Sequence, residues 1–281
     1  MTARSLSIGP LTVLGLPPPR LMEAAAAAGV HGVGIRMLPS APGGVCYRLM
    51  DDPTLLRETL AAKAANGMRI VDLEMVRIGA GFDAAAFMAF FETGAKLGAA
   101  HVLVAVDDPD EARATTSFAA LCEAMRPWGL SAELEFMPWT EARDLGAARR
   151  IVIGAAQPNG GILVDALHFA RSNGRLADLD EIPRTALRYA QICDGPAQAP
   201  ATVEGLIHAA RCERLLPGEG EIDLVGLFRR LPAGLPVCIE TPSDSRAAGL
   251  GHVEWVRRSV IATRRVLEAI DWLRVNSMDV N

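Results

Sequence analysis

Three carboxylates and an amide stand at the ends of four successive apolar runs in the second half of the chain. They are Glu135 in AELEFMP, Asp165 in GILVDALHF, Gln191 in RYAQICDG and Glu240 in PVCIETPS. Each run reads as a buried strand, and each polar residue precedes a turn or a helix. A carboxylate is costly to bury alone. Three of them at one end of neighbouring strands need a shared counter-ion, and a divalent metal is the simplest one. The donors are all oxygens, which suits one Mn²⁺ or Mg²⁺ and admits Co²⁺ or Zn²⁺, although zinc prefers His and Cys. Three carboxylates carry more charge than one divalent ion balances, so a proton or a cationic partner is expected nearby. A carboxylate held in this way can exchange a proton with a substrate at a pKa set by its neighbours. That combination points to an enzyme.

Taken singly, these residues have plainer readings. Glu133 lies two residues before Glu135 and faces the same side of a strand. One of the two is then structural, and Glu135 is chosen because it is nearer the strand end. Asp165 also reads as a helix N-cap, and Gln191 as an amide satisfied by backbone. His168 follows Asp165 by one helical turn and is read as a group that hydrogen-bonds substrate. His31 and His101 precede strands, on the opposite face, while His208 and His252 sit in helical patterns. In RCERLLPGEGEID, Pro217, Gly218 and Gly220 mark a tight turn. Arg211 and Arg214 beside it are expected to reach into the mouth of the site and bind an anionic or hydroxyl-rich substrate. Trp139 supplies an apolar wall. Arg36, Glu74 and Arg77 are secondary candidates for the far side of the pocket.

These residues must be positioned by an alternation of short apolar runs and segments of helical period. The strand candidates are Leu6–Ile8, Gly32–Met37, Arg69–Val76, His101–Val106, Ser131–Phe136, Gly161–Ala166, Tyr189–Cys193 and Pro236–Glu240. Helical segments fall around Arg20–Ala28, Pro53–Asn66, Ala84–Leu97, Glu111–Trp128, Glu141–Ala156, Leu176–Ile182, Asp223–Leu231 and His252–Val275. Gly29, Gly67, Gly98 and Gly129 stand where glycines end helices. Repeated β-α order implies parallel strands and right-handed crossovers. Eight strands without a GxGxxG after the first favour a closed (β/α)₈ TIM barrel of the α/β class over an open sheet. One barrel uses residues 1–275, leaving 276–281 as a frayed C-terminal tail. The irregular stretches Leu38–Asp52 and Asp194–Gly220 both follow strands, so both fall on the face where barrel enzymes build their active sites.

Composition narrows the function. The 281 residues carry a net charge of −5, which disfavours a nucleic-acid surface. Five scattered cysteines without CxxC spacing read as reduced thiols of a cytoplasmic protein. No apolar run is long enough to span a bilayer, and the N-terminus lacks the features of a signal peptide. The only lysines, Lys63 and Lys96, read as helical, which removes a Schiff-base aldolase. The sequence leaves a homo-oligomer open.

The pieces ELEFMPW, VDALH, QICD, RLLPGEGEID and CIET together resemble the xylose isomerase-like TIM barrel superfamily, over nearly the whole chain. That superfamily includes sugar and sugar-phosphate isomerases and epimerases, dehydratases and a zinc endonuclease. The resemblance implies that Glu135, Asp165, Gln191 and Glu240 hold one divalent metal. It also implies that Glu135 and Glu240 are the acid/base pair across an enediolate, with His168 and a strand-seven-loop arginine on substrate oxygens. The expected activity is isomerisation or epimerisation of a small polyhydroxylated carbonyl compound. Many sugar epimerases have His where this chain has Gln191. A Gln there is similar to the dehydroshikimate dehydratase branch, so a lyase is the alternative, and a non-catalytic sugar-binding barrel is a third. The endonuclease needs a histidine-rich zinc cluster, and xylose isomerase itself needs two metals and a nearby lysine; this sequence has neither.

Overall fold

The computed structural model describes residues 4–276. Eight parallel strands follow one another around a closed barrel: β1 (Leu6–Ile8), β2 (Gly32–Arg36), β3 (Arg69–Ile78), β4 (His101–Val106), β5 (Ser131–Glu135), β6 (Gly160–Asp165), β7 (Ala190–Ile192) and β8 (Val237–Ile239). Strand β8 pairs back onto β1, with Ile8 opposite Ile239. The strands lie where the apolar runs place them, and the fold is the expected (β/α)₈ barrel. Of the expected tail, Asn276 belongs to the last helix, and 277–281 lie outside the described residues.

The outer ring comprises α1 (Pro18–Ala27), α2 (Pro53–Ala65), α3 (Met88–Leu97), α4 (Glu111–Met125), α5 (Leu145–Ala155), α6 (Ala166–Arg171), α7 (Val203–Cys212), α8 (Leu224–Arg230), α9 (Asp244–Leu250) and α10 (His252–Asn276). Several begin on a short polar side chain that satisfies free backbone N–H groups of the first turn. Asp52, Asp110, Asp144 and Asp223 each do this. No helix among the described residues is long and apolar enough to cross a membrane.

Two expectations are corrected. The stretch Asp194–Gly220, read as irregular, contains α7. Gly195, Pro196, Pro200 and Gly205 disguise it, yet Thr202 caps it by accepting from Gly205 N at 3.0 Å. The helix expected from Glu141 starts at Leu145. The backbone N–H groups of Glu141 and Ala142 bond instead to the carbonyl at Val106, the end of β4.

The strand period of two sorts the core. Ala132 and Leu134 of β5 join the large apolar layer between barrel and helices. Glu133 and Glu135 take the alternate positions, with the interior, where Leu103, Leu163, Tyr189 and Cys238 pack together. Gly161 makes room in that interior, because a Cβ there would come within 2.0 Å of Glu133 Oε2. The far end of β8 is pinned by Trp255 of α10. Its indole N–H donates to Thr241 O at 2.8 Å, and Thr12 Oγ1 donates to Ile239 O at 2.9 Å. Glu240, between those two residues, therefore leaves the barrel in a fixed direction.

Candidate metal centre

The ambiguity between Glu133 and Glu135 resolves along the barrel axis. Glu133 is a structural hub toward the N-terminal end. Its carboxylate accepts from Ser131 Oγ at 2.8 Å and from Arg188 Nη1 at 3.2 Å, and it lies 3.3 Å from His101 Nδ1. Glu135, one layer up, lines a pocket at the opposite end of the barrel together with Glu240, His168 and Arg214. The strand registers bring the remaining members alongside. Glu135 stands opposite Leu163, Asp165 opposite Gln191, and Gln191 opposite Cys238.

The cation that the excess of carboxylates demands is Arg214, which is fully buried. Its guanidinium donates to Asp165 Oδ2 at 2.7 Å and lies 3.2 Å from Glu240 Oε2. Its Nε donates to Ala210 O at 2.7 Å, and its backbone N–H donates to Pro242 O at 2.8 Å. The turn that delivers it is organised by Asp194. That carboxylate accepts from the N–H groups of Gly195 (2.8 Å), Gly218 (2.9 Å) and Ile222 (3.1 Å). Gly220 has to be glycine, since a Cβ would stand 2.4 Å from Asp194 Oδ1. The expectation that both arginines reach into the mouth thus divides. Arg211 lines the mouth, while Arg214 lies deeper, drawn in by two carboxylates that need neutralising.

Several buried polar atoms here have no partner. Among the described residues, both amide atoms of Gln191, Glu135 Oε1, His168 Nδ1 and Trp139 Nε1 are without a hydrogen bond. Buried amides and carboxylates are nearly always satisfied, so Gln191 is not the backbone-satisfied amide of its plainer reading. Donor atoms of Glu135, Asp165 and His168 lie within 4.8 Å of one another, a spacing compatible with one ion. His168 Nε2 is 3.7 Å from Glu135 Oε1 and 4.0 Å from Asp165 Oδ1. His168 thus sits closer to the acids than a purely substrate-facing reading implies. Asp165 also caps α6, accepting from His168 N at 2.9 Å. Its helix-cap reading is therefore correct, and its other oxygen is left to face Arg214. The residues present fit a divalent ion: carboxylate oxygens of Glu135 and Asp165 converge with a His168 ring nitrogen, and Glu135 and Gln191 have unpartnered oxygens among the described residues.

The electrostatics of the metal-free protein point the same way. Burial, then the charges of Asp165 and Glu240, hold the Glu135 carboxyl well above the ordinary range. Burial, with Glu74 and Asp165, pushes Glu240 up to about 8 against the pull of Arg214. Burial would raise Asp165 too, but Arg214 and His168 outweigh it and hold it low. Burial lowers the His168 imidazole to about 4, helped by Arg214 and Arg211, so the ring is neutral. The stability consequence has a definite sign. Both glutamates keep protons in the folded chain that the unfolded chain releases. Their contribution is complete below the unfolded pKa and is lost as pH rises through the folded one. Urea unfolding of the metal-free protein should therefore show stability falling between the ordinary glutamate pKa and about pH 8. The slope is about 1.4 kcal/mol per pH unit for each proton involved. Glu240→Gln should flatten it; an unchanged slope in that variant would remove Glu240 as a source.

The remaining expected residues line the same pocket. Trp139 meets the His168 ring edge-on at 5.1 Å between centroids. Arg36 and Arg77 also line it, more prominently than the sequence indicates. Glu74 lies behind, fully buried and bound to Arg36 at 2.5 and 2.9 Å. Arg77 is held by Asp107 at 2.6 and 2.7 Å. Asp194 stands outside the candidate residues; its traces in the sequence are the QICD piece and the start of the Asp194–Gly220 stretch.

The family described as xylose isomerase-like TIM barrel matches residues 22–275. No curated protein matches the sequence. Among solved structures, the chain is similar to an IolI protein with a bound zinc atom, at 18% identity and TM-score 0.80, covering 95% of this chain and 99% of that one. It is similar to a xylose isomerase-like TIM barrel/4-hydroxyphenylpyruvate dioxygenase fusion protein, at 21% identity and TM-score 0.81, covering 99% of this chain and 45% of the fusion. It is also similar to D-psicose 3-epimerase with D-tagatose from Clostridium cellulolyticum H10, at 14% identity and TM-score 0.68, covering 94% and 99%. At these identities the likeness shows the fold.

Proposed function

The chain belongs to the xylose isomerase-like TIM barrel family, and we propose that it is a divalent-metal-dependent isomerase or epimerase of a small polyhydroxylated carbonyl compound. The observation that carries this reading is the buried group of Glu135, Asp165 and His168 with donor atoms within 4.8 Å of one another, beside the unpartnered oxygens of Glu135 and Gln191. Glu135, Asp165, Gln191 and Glu240 would hold the ion, with Mn²⁺ or Mg²⁺ favoured by the oxygen donors. The similar IolI structure contains zinc, which supports a divalent site without choosing the metal. When bound, the ion would polarise a substrate carbonyl and stabilise negative charge developing on its oxygen.

The chain's own residues supply the proton chemistry. Glu135 and Glu240 rise from β5 and β8, so they approach a substrate from different sides of the pocket. Burial and neighbouring carboxylates raise both pKa values, Glu240 to about 8, and a value there suits a proton donor or acceptor near neutral pH. One removes the proton beside the carbonyl, and the other returns a proton to a neighbouring position or the opposite face. His168 is a neutral hydrogen-bonding group for a substrate hydroxyl. Trp139 closes the wall and limits water.

A second reading shares the first step and differs in the second. If a β-hydroxyl leaves after proton removal, the enzyme is a dehydratase. Gln191 favours it, because the strand-seven amide resembles the dehydroshikimate dehydratase branch. The test is a panel of ketoses and dehydroshikimate in D₂O with added Mn²⁺ or Mg²⁺, followed by NMR. Metal-dependent deuterium incorporation beside a carbonyl supports proton transfer, and an aromatic product assigns the lyase. No exchange and no product across the panel would count against catalysis and leave a binding barrel.

A further inference from the structure

We propose that the substrate carries an oxyanion, a carboxylate or a phosphate, away from its reacting carbons, and that Arg211 binds this group at the pocket mouth. The inference rests on the reading of the acidic centre as a metal-dependent proton-transfer site. It begins from charge balance. Glu135, Asp165 and Glu240 are neutralised by one divalent ion and Arg214 together. Arg36 is paired with Glu74, and Arg77 with Asp107. Arg211 is left over. Its side chain makes no hydrogen bond or ion pair among the described residues, though it is half-buried and lines the same pocket.

The surroundings of Arg211 make that isolation costly. Burial lowers its affinity for its proton, and the like charges of Arg77 and Arg36 lower it further. The last turn of a helix favours a cation, and Arg211 sits there in α7. The helix end does not account for a guanidinium placed beside two others. An incoming oxyanion would relieve the repulsion and occupy the free fork with charge-assisted hydrogen bonds.

The hydrogen-bonding character of the wall argues against a neutral sugar at this position. Arginine and tryptophan side chains only donate, and Arg77, Arg211 and Trp139 are, with Ser40, the half-buried polar residues of the lining; the acceptors Glu135, His168 and Glu240 lie buried at the metal centre. A polyol both donates and accepts, and among these half-buried residues only the Ser40 hydroxyl could accept from it. A carboxylate or phosphate only accepts. The position also has room for a substrate tail. Arg36, Ser40 and Arg211 border an adjoining groove of about 340 Å³, the size of a small-molecule site rather than a polymer track.

The test uses the full chain, Mn²⁺-loaded and metal-free, with three probes: D-fructose, D-fructose 6-phosphate and 2-keto-D-gluconate. Calorimetry gives each Kd, and Mn²⁺ uptake is measured on the same samples. One anionic probe should bind at least about tenfold more tightly than fructose, and which one does so separates phosphate from carboxylate. Arg211→Gln should abolish the preference, Arg211→Lys should keep part of it, and both should take up Mn²⁺ as the parent does. Equal affinities, failure of both anionic probes to bind, or a preference that survives Arg211→Gln overturns the proposal. Loss of Mn²⁺ uptake by the parent overturns the metal reading instead. The metal-free titrations then judge Arg211 by the same ratio.

Discussion

Replacing Glu135 or Glu240 by Gln should lower turnover by about 10²–10⁴-fold, the range expected when a positioned acid or base is lost. Each substitution keeps the shape of the side chain and removes only its ability to ionise. The barrel should stay folded, because neither carboxylate is a stabilising charge in the metal-free protein. Burial and like-charge neighbours hold both carboxyls in the protonated direction. Glu240→Gln should in fact be more resistant to urea than the parent above about pH 8 when no metal is present. Steady-state rates on whichever panel substrate turns over, with unfolding curves on the same preparations, separate the two effects. Turnover within tenfold of the parent in either variant would remove that residue from proton transfer.

Arg214→Leu should have the opposite profile and the largest effect on stability. Removing one partner of a buried ion pair costs about 3–5 kcal/mol, because the remaining charge is left without compensation. Here the ionised Asp165 loses its cation, and Glu240 loses the neighbour that pulls its pKa down. The pH dependence carries a sign. With Arg214 present, Asp165 is held low in the folded state, so its contribution exists above the unfolded pKa and is lost as pH falls. Without Arg214, burial dominates and Asp165 joins the groups that prefer to be protonated. The variant's deficit should therefore grow with rising pH and shrink in acid. Urea unfolding between pH 5 and 9 measures it. A deficit below about 1 kcal/mol, the scale of an exposed pair, would mean that Arg214 does not neutralise the centre.

The barrel was legible because its strands are short, apolar and evenly spaced, and because Gly29, Gly67, Gly98 and Gly129 all carry the positive φ that ends a helix. Helix α7 was not, because Gly205 and two upstream prolines resemble a loop when the packing that stabilises a short helix is out of sight. The four polar residues at strand ends were legible by type and position, and the demand for a cation followed from counting charges. Which arginine answers that demand was not. Arg211 and Arg214 are three residues apart with similar flanks. Only the turn held by Asp194 and the bond from Arg214 N to Pro242 O decide that one goes down and the other stays at the mouth. The choice of Glu135 over Glu133 followed from strand position alone, and the Ser131, His101 and Arg188 contacts give it a physical basis. The nearness of His168 to Glu135 was beyond sequence reasoning, since it depends on the path of the six-residue α6.

Calorimetric titration of the metal-free chain with Mn²⁺ at pH 7, repeated in buffers of different ionisation enthalpy, tests the central claim most directly. The expected result is one ion per chain, bound with release of about one to two protons as Glu135 and Glu240 ionise, and loss of that binding in Asp165→Asn. Absence of saturable uptake of Mn²⁺, Mg²⁺, Co²⁺ or Zn²⁺, or uptake that Asp165→Asn leaves intact, would contradict it.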